Sequence, residues 1–416
     1  MNKMKKTLFL AALVLISAGC FAQKANVRKA KNLAMSSESP DFAAARAAIG
    51  EALENDETKD LTETWFTAGL IGYYQYDQAR TMRMMGQPID EETVGAAVLE
   101  SYKYWLHADE LAMVPVYDKK GNPKFDLKTR KQIAQKMQTY YDMQALISYG
   151  IYKNEQKDYA GAYEAFVAHL NIPDLPMIDE KMRQKMPKDT TYEQYQYYAA
   201  IFAIQAEMHP EAIALLEDLK NGQFETVSCN QFLYQEYLNE KDTLQAVALL
   251  KEAVVRFPAE PWFLQNLINH YIFSGQEQEA VTYLTEAIER EPNVAEYHHI
   301  RGNLNESLGR YEAALADFDN ALRVDPKLAD AAAGKGRVYY NQAVKVNEDA
   351  ANIQDAKEYK KALEQMNDLF RQSLPFFEEA HRMDPENRTY MITLRTIYYR
   401  FNMTAEYEAI QAELNQ

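Results

Sequence analysis

The chain has 416 residues, with 45 Lys and Arg against 61 Asp and Glu, for a formal net charge of −16. So acidic a chain is poorly matched to nucleic acid or anionic lipid headgroups, because counterion release rewards basic proteins. Its two cysteines, Cys20 and Cys229, give no disulfide framework, so stability must come from apolar burial. Glycine, at 15 residues, is used at about half the ordinary rate. Ala, Leu, Glu and Gln are abundant and no long β-branched alternation appears, which predicts an all-α protein. The length exceeds one ordinary compact core, so several domains or a solenoid are expected.

In chain order, "MNKMKK" supplies a positive stretch, "TLFLAALVLISAG" an apolar run and "CFAQ" small residues suited to cleavage. This is the form of a secretory signal, too short to serve as a mature span. Residues 1–22 are therefore set aside from the fold. Two readings stay open. Cleavage after Cys20-Phe21-Ala22 would leave Gln23 as the N-terminus, whereas cleavage before Cys20 would leave that cysteine lipidated. Ser17 stands where lipoprotein signals usually carry Leu. Loss of Lys3, Lys5 and Lys6 lowers the basic count to 42 and makes the net charge −19.

Residues 23–192 read as helical hairpins with insertions. "PDFAAARAAIGEAL" carries Ala45, Ile49 and Ala52 at +4 and +7 spacing, Trp65 and Gly69 open another candidate hairpin, and Gly150, Ala162 and Phe166 fall in register later. "VPVYDKKGNPKFD" between them is a turn-rich connection.

From residue 193 the chain is periodic. Pro258, Pro292 and Pro326 are 34 residues apart, as are Ala212, Ala246, Ala280 and Ala314. Leu216, Leu250, Leu284 and Phe318 follow four residues later, and Leu219, Ala253, Ala287 and Ala321 follow three after those. These columns resemble the tetratricopeptide repeat, most closely at Gly302, Leu308-Gly309, Tyr311, Ala314, Phe318, Ala321 and Asp325-Pro326. Arg301 and Asn305 depart from the pattern, which predicts slightly weaker packing there.

The resemblance implies a right-handed superhelical solenoid of antiparallel helix hairpins, since one hairpin cannot bury its apolar face alone. Four regular units occupy 193–328. A fifth, 329–387, holds 25 additional residues, because its closing Pro385 lies 59 beyond Pro326. That insertion, 344–368, lacks Gly and Pro. Divided between two helices it would extend the hairpin by roughly 18 Å; the alternative is a solvated loop. Residues 388–416 read as a capping hairpin.

The sequence holds no HExxH, GxSxG, Gly-rich phosphate loop or CxxC. The expectation is a non-enzymatic protein without cofactor or metal, binding a protein or peptide and no nucleic acid, and meeting a membrane only through a lipid on Cys20. With each unit numbered from 1, helical periodicity puts positions 4, 7, 8 and 11 against the partner helix and 2, 5, 9, 12 and 13 on a concave face. That face would carry Tyr197, Gln231, Gln235, Asn239, Gln265, Asn269, Phe273, His299, Asn303, Arg337 and Tyr340. Side-chain amides donate and accept together, so this set suits the backbone of an extended peptide. Only Arg337 is basic among these columns, against a carboxylate-binding variant.

His298 and His299 are adjacent, so in a helix they point about 100° apart and do not converge on one metal. His298 falls at a packing position and His299 on the concave face. The layout resembles exported tetratricopeptide proteins of the Gram-negative envelope, which implies a scaffold or adaptor in the periplasm or at the outer membrane. The alternative is a peripheral subunit of a secretion or assembly machine, acting through its convex face or the 344–368 hairpin.

Overall fold

The computed structural model describes residues 24–415; the leader, both of its cleavage readings and Cys20 lie outside them. The chain divides into two compact units, one ending at Ala246 and one beginning at Val247. The first contains α1 (residues 24–34), α2 (Phe42–Glu54), α3 (Thr62–Met84), α4 (Glu91–Ala112) and α5 (Leu127–Asp142). It continues with α6 (Ala145–Glu155), α7 (Tyr159–Asn171), α8 (Glu180–Arg183), α9 (Thr190–Gln205), α10 (His209–Leu219) and α11 (Thr226–Asn239). Helix α12 (Thr243–Arg256) carries the division. The second unit runs through α13 (Pro261–Phe273), α14 (Glu277–Arg290), α15 (Ala295–Ser307), α16 (Tyr311–Val324) and α17 (Ala329–Ala350). It ends with α18 (Ala356–Met383), α19 (Arg388–Arg400) and α20 (Thr404–Leu414). The protein is all-α, and antiparallel hairpins stack within each unit. Strand is limited, among the described residues, to β1 (Val116–Tyr117) and β2 (Pro123–Lys124).

Part of the acidic excess starts helices. Asp41, Asp90, Asp126, Asp158, Asp189 and Asp355 each accept a backbone N–H from the first turn that follows. Each such cap satisfies a donor without an intrahelical partner and is worth about 1 kcal/mol. Pro258, Pro292, Pro326 and Pro385 each stand two residues beyond the last residue of α12, α14, α16 and α18. None can donate the next helical hydrogen bond, so the chain turns there.

In the first unit, α3 and α4 pair over a fully buried Trp105, whose indole N–H donates to the Phe66 carbonyl at 3.2 Å. A β-carbon on Gly69 would lie 2.2 Å from that indole nitrogen, so only glycine allows the two helices this approach. Tyr140, Met137 and Ile133 of α5 and Leu146 of α6 complete the core around it. Ala45, Ile49 and Ala52 of α2 are buried, and Gly150 of α6 abuts the Phe166 ring of α7. The turn-rich connection between α4 and α5 forms the β1–β2 hairpin, with Val116 opposite Lys124 and Tyr117 opposite Pro123.

The second unit shows why the repeat columns have their residue types. Phe318 of α16 is fully buried, and a β-carbon on Gly302 of α15 or Gly334 of α17 would come within 2.7 Å of its ring. One large ring therefore fills the space between its own hairpin and the next, and a glycine on each side makes room. Helices α15 and α17 also touch directly, the first helix of one hairpin against the first helix of the next. Residues 344–368 are helical at both ends: α17 extends to 22 residues and α18 to 28, joined by a short turn. Ala343, Met366 and Phe370 bury against one another along this longer pair.

Candidate interaction face

Helices α13, α15 and α17 of the second unit each present repeat positions 5, 9 and 13, but the three faces differ. On α13, Gln265, Asn269 and Phe273 are all exposed, and Phe273 stands 89% open to solvent. Their spacing of four residues aligns them on one side of the helix. The result is two amides beside an uncovered aromatic ring.

On α15 positions 5 and 9 are knitted together. His299 accepts a hydrogen bond at Nε2 from the Asn303 side-chain amide at 3.2 Å, and its side chain is only 12% exposed. Arg337 of α17 reaches back to α15. Its Nη2 donates to Asn303 Oδ1 at 2.6 Å, and its Nε donates to Glu306 Oε2 at 2.8 Å. Asn341 adds a bond to the other oxygen of Glu306 at 2.8 Å. Glu306 is buried, and such a carboxylate is tolerable only because a guanidinium and an amide take up its lone pairs. His299, Asn303 and Arg337 thus form one polar chain.

Tyr340 stands apart from that chain. Its ring lies edge-on to Phe370 of α18, 5.0 Å between centroids, so it packs inside the long hairpin. Ala333, the position-5 residue of the fifth unit, is also buried.

In the first unit, Tyr197 packs against Phe224 and Phe232, with centroids 5.5 and 6.3 Å away. Burial raises its hydroxyl above the usual tyrosine range. Gln231 is half-buried, while Gln235 and Asn239 are exposed and hydrogen-bonded to each other at 3.2 Å. Asn239 also donates to Glu236 Oε1 at 3.0 Å.

The two adjacent histidines separate as helical geometry requires. His298 is buried, and its Nε2–H donates to the Pro292 carbonyl at 3.0 Å, which ties α15 to the turn preceding it. At the departures Arg301 and Asn305, polar contacts stand where the repeat pattern usually has apolar or aromatic ones. Arg301 forks onto the buried Asp317 of α16, with Nη2–Oδ1 at 2.6 Å and Nε–Oδ2 at 3.1 Å. Asn305 donates to Asp317 Oδ2 at 2.9 Å, and Arg301 Nη1 reaches Thr285 of α14 at 3.1 Å. A polar cluster replaces the aromatic contact. Sequence columns had a signal for it, since the basic Arg301 and acidic Asp317 stand on partner helices of a single repeat.

Among the described residues, no group of three or more His, Cys, Asp or Glu side chains is arranged to hold a metal. Cys229 is buried, and burial pushes its thiol up to about 12, so almost none of it is the nucleophilic thiolate at neutral pH.

Two family models, each described as a tetratricopeptide repeat, match residues 237–304 and 295–328. This part of the chain is therefore composed of tetratricopeptide repeats, an architecture that holds protein partners. No curated protein matches the chain. Among solved structures, one described as MamA is 15% identical, covers 44% of this chain and 92% of its own, and has a TM-score of 0.34. A TPR repeats protein from Bacteroides fragilis NCTC 9343 is 16% identical, covers 61% of this chain and 97% of its own, and has a TM-score of 0.32.

Proposed function

We propose that the chain is a non-enzymatic scaffold that holds an extended segment of a protein partner against the amide-bearing face of its tetratricopeptide repeats. The carrying observation is the α13 face, where Gln265 and Asn269 are exposed beside an almost fully uncovered Phe273. Two amides can pair with the N–H and C=O groups of a peptide backbone, while the ring offers an apolar contact for one of its side chains. On α15 and α17, Asn303, His299 and Arg337 are already bonded to one another, so a peptide would engage them only by displacing the Arg337–Asn303 bond. Gln235 and Asn239 form a comparable exposed pair on α11.

The basic and apolar leader supports export to the envelope of a Gram-negative cell, with the mature chain in the periplasm or at the outer membrane. Metabolic labelling with a lipid analogue separates the two processing readings. Label that disappears in Cys20→Ser means a lipid anchor, and no label in either chain means cleavage after Ala22.

The length of α17 and α18 favours a second reading, in which the charged end of this hairpin is the docking element of a peripheral subunit. A photo-crosslinker at position 273 should capture a partner in cells, and the triple variant Gln265→Ala, Asn269→Ala, Phe273→Ser should lose it. If the triple variant keeps its partners while replacing residues 344–368 with a short turn removes them, the peptide-face reading is wrong and the hairpin reading stands.

A further inference from the structure

We infer that the β1–β2 hairpin and the first turn of α5 form a docking element for an anionic bilayer surface. The hairpin leaves the helical core between Ala112 and Leu127, and a bond from the Asp126 N–H to the Ala112 carbonyl at 3.0 Å closes its base. Asp118 shapes the turn by accepting the backbone N–H groups of Lys120 and Asn122 at 2.8 and 3.0 Å, and Gly121 adopts a positive φ of 81°. Beyond the base, both faces of the strand pair are exposed. An isolated two-stranded ribbon is marginally stable in water, and this one carries apolar side chains where solvent would favour polar ones. Val116 is 71% exposed, Tyr117 66% and Leu127 60%, with Val114 and Phe125 exposed beside them. Exposed apolar chains so concentrated mark an interaction surface.

The charge of this element opposes that of the whole chain. Residues 113–131 hold six basic side chains against two acidic ones. Arg130 is tied to the buried Asp109 at 3.3 Å. Lys119, Lys120, Lys124, Lys128 and Lys131 are all exposed, and none pairs with a carboxylate among the described residues. The acidic total argues against anionic surfaces only over distances that salt does not screen. At about 0.15 M salt the screening length is about 8 Å, so a membrane touching the hairpin meets mainly its lysines.

Lysine content favours lipid over protein. Lysine is depleted in protein–protein interfaces, where aromatic residues and arginine predominate. Elements lying in the headgroup region instead combine lysine with aromatic and aliphatic chains, the long stems carrying their ammonium groups to the phosphates. A partner strand would also find little here, since each strand has two residues and Pro123 lacks an N–H. Tyr117 pairs with Pro123 and so shares its face of the ribbon, and exposed Phe125 follows just past the strand, so this side would lie against the bilayer with the lysines around it.

The test uses the full chain and vesicles of phosphatidylcholine with or without about one-third phosphatidylglycerol. Tyr117→Trp places a reporter in the hairpin, and brominated acyl chains quench only indoles that reach the headgroup–acyl boundary. Expected is quenching in the anionic vesicles beyond that of the unsubstituted chain, whose leader and native tryptophans serve as background. Charge reversal at Lys119, Lys120 and Lys124 to Glu should weaken partitioning by at least about a hundredfold, with an unchanged helical circular-dichroism spectrum. Val116→Ser with Tyr117→Ser should weaken it at unchanged charge. The inference is overturned if the indole at 117 is not quenched, or if the charge-reversed chain binds like the unsubstituted one. Crosslinks from position 117 to an acidic protein, without vesicle binding, would also overturn it in favour of a protein site.

Discussion

Helices α13 and α15 occupy equivalent places in consecutive repeats, and their outward positions 5 and 9 have met opposite fates. On α13 the amides and Phe273 face solvent, whereas on α15 His299 and Asn303 bond to each other, and Arg337 bonds to Asn303 and to Glu306 one turn on. The backbone geometry of the two helices is alike. What differs is the next hairpin: α17 brings an arginine long enough to reach back across one repeat. A repeat column therefore fixes where a side chain is rooted, and the neighbouring side chains decide whether it is free to bind.

The comparison breaks first if the shared framework fails. Phe318→Ala should leave a cavity between Gly302 and Gly334 and cost about 3–5 kcal/mol, measured as a lower urea midpoint. A loss below 1 kcal/mol would mean that this ring does not hold adjacent hairpins together. Next in size is Asp317→Ala, which strands Arg301 with Asn305 and should cost about 3 kcal/mol. Arg301→Met combined with Asp317→Leu should recover part of that loss, because neither charge then remains buried and only the Asn305 amide is left without its partner.

A histidine in the first unit supplies a reference for side chains that are truly interior. His169 is buried, stacked on Tyr141 with centroids 4.4 Å apart, and desolvation lowers its pKa to about 4. Its unfolded value is about 6.5, so between these two pH values the unfolded chain binds more protons than the folded one. Stability from this group is complete above pH 6.5 and declines as pH falls towards 4, by roughly 3 kcal/mol in total. Thermal melts of His169→Phe, which keeps the ring stack, should lose that part of the acid sensitivity; an unchanged pH profile would show that His169 is not the group responsible.

The smallest effects separate the two faces directly. Arg337→Ala should cost about 2 kcal/mol, because it leaves the buried Glu306 carboxylate with only the Asn341 amide as partner. It should also speed amide exchange in α15. Gln265→Ala with Asn269→Ala should change stability by less than about 0.5 kcal/mol, since these groups support nothing else in the fold. Equal stability losses from the two substitutions would abolish the distinction between an open and a closed face.

What the sequence determined by itself is the helical periodicity and the alternation of large and small columns. Ala212, Leu216, Phe318 and Gly302 are legible because every hairpin must solve the same packing problem with the same backbone. The prolines are legible for a local reason, the missing N–H. Tertiary structure decided the polar contacts. Arg301 with Asp317 and Arg337 with Glu306 join residues 16 and 31 positions apart, and no periodic pattern says which rotamer of a long side chain will meet which carboxylate. The same holds for the connection between α4 and α5. Its turn residues were readable as a turn, but strand pairing depends on register across the turn, and exposure on both faces depends on what the surrounding helices leave uncovered. Local sequence sets backbone direction through short-range sterics and hydrogen bonding. Which side chains remain free to bind is a property of neighbours brought close only by folding.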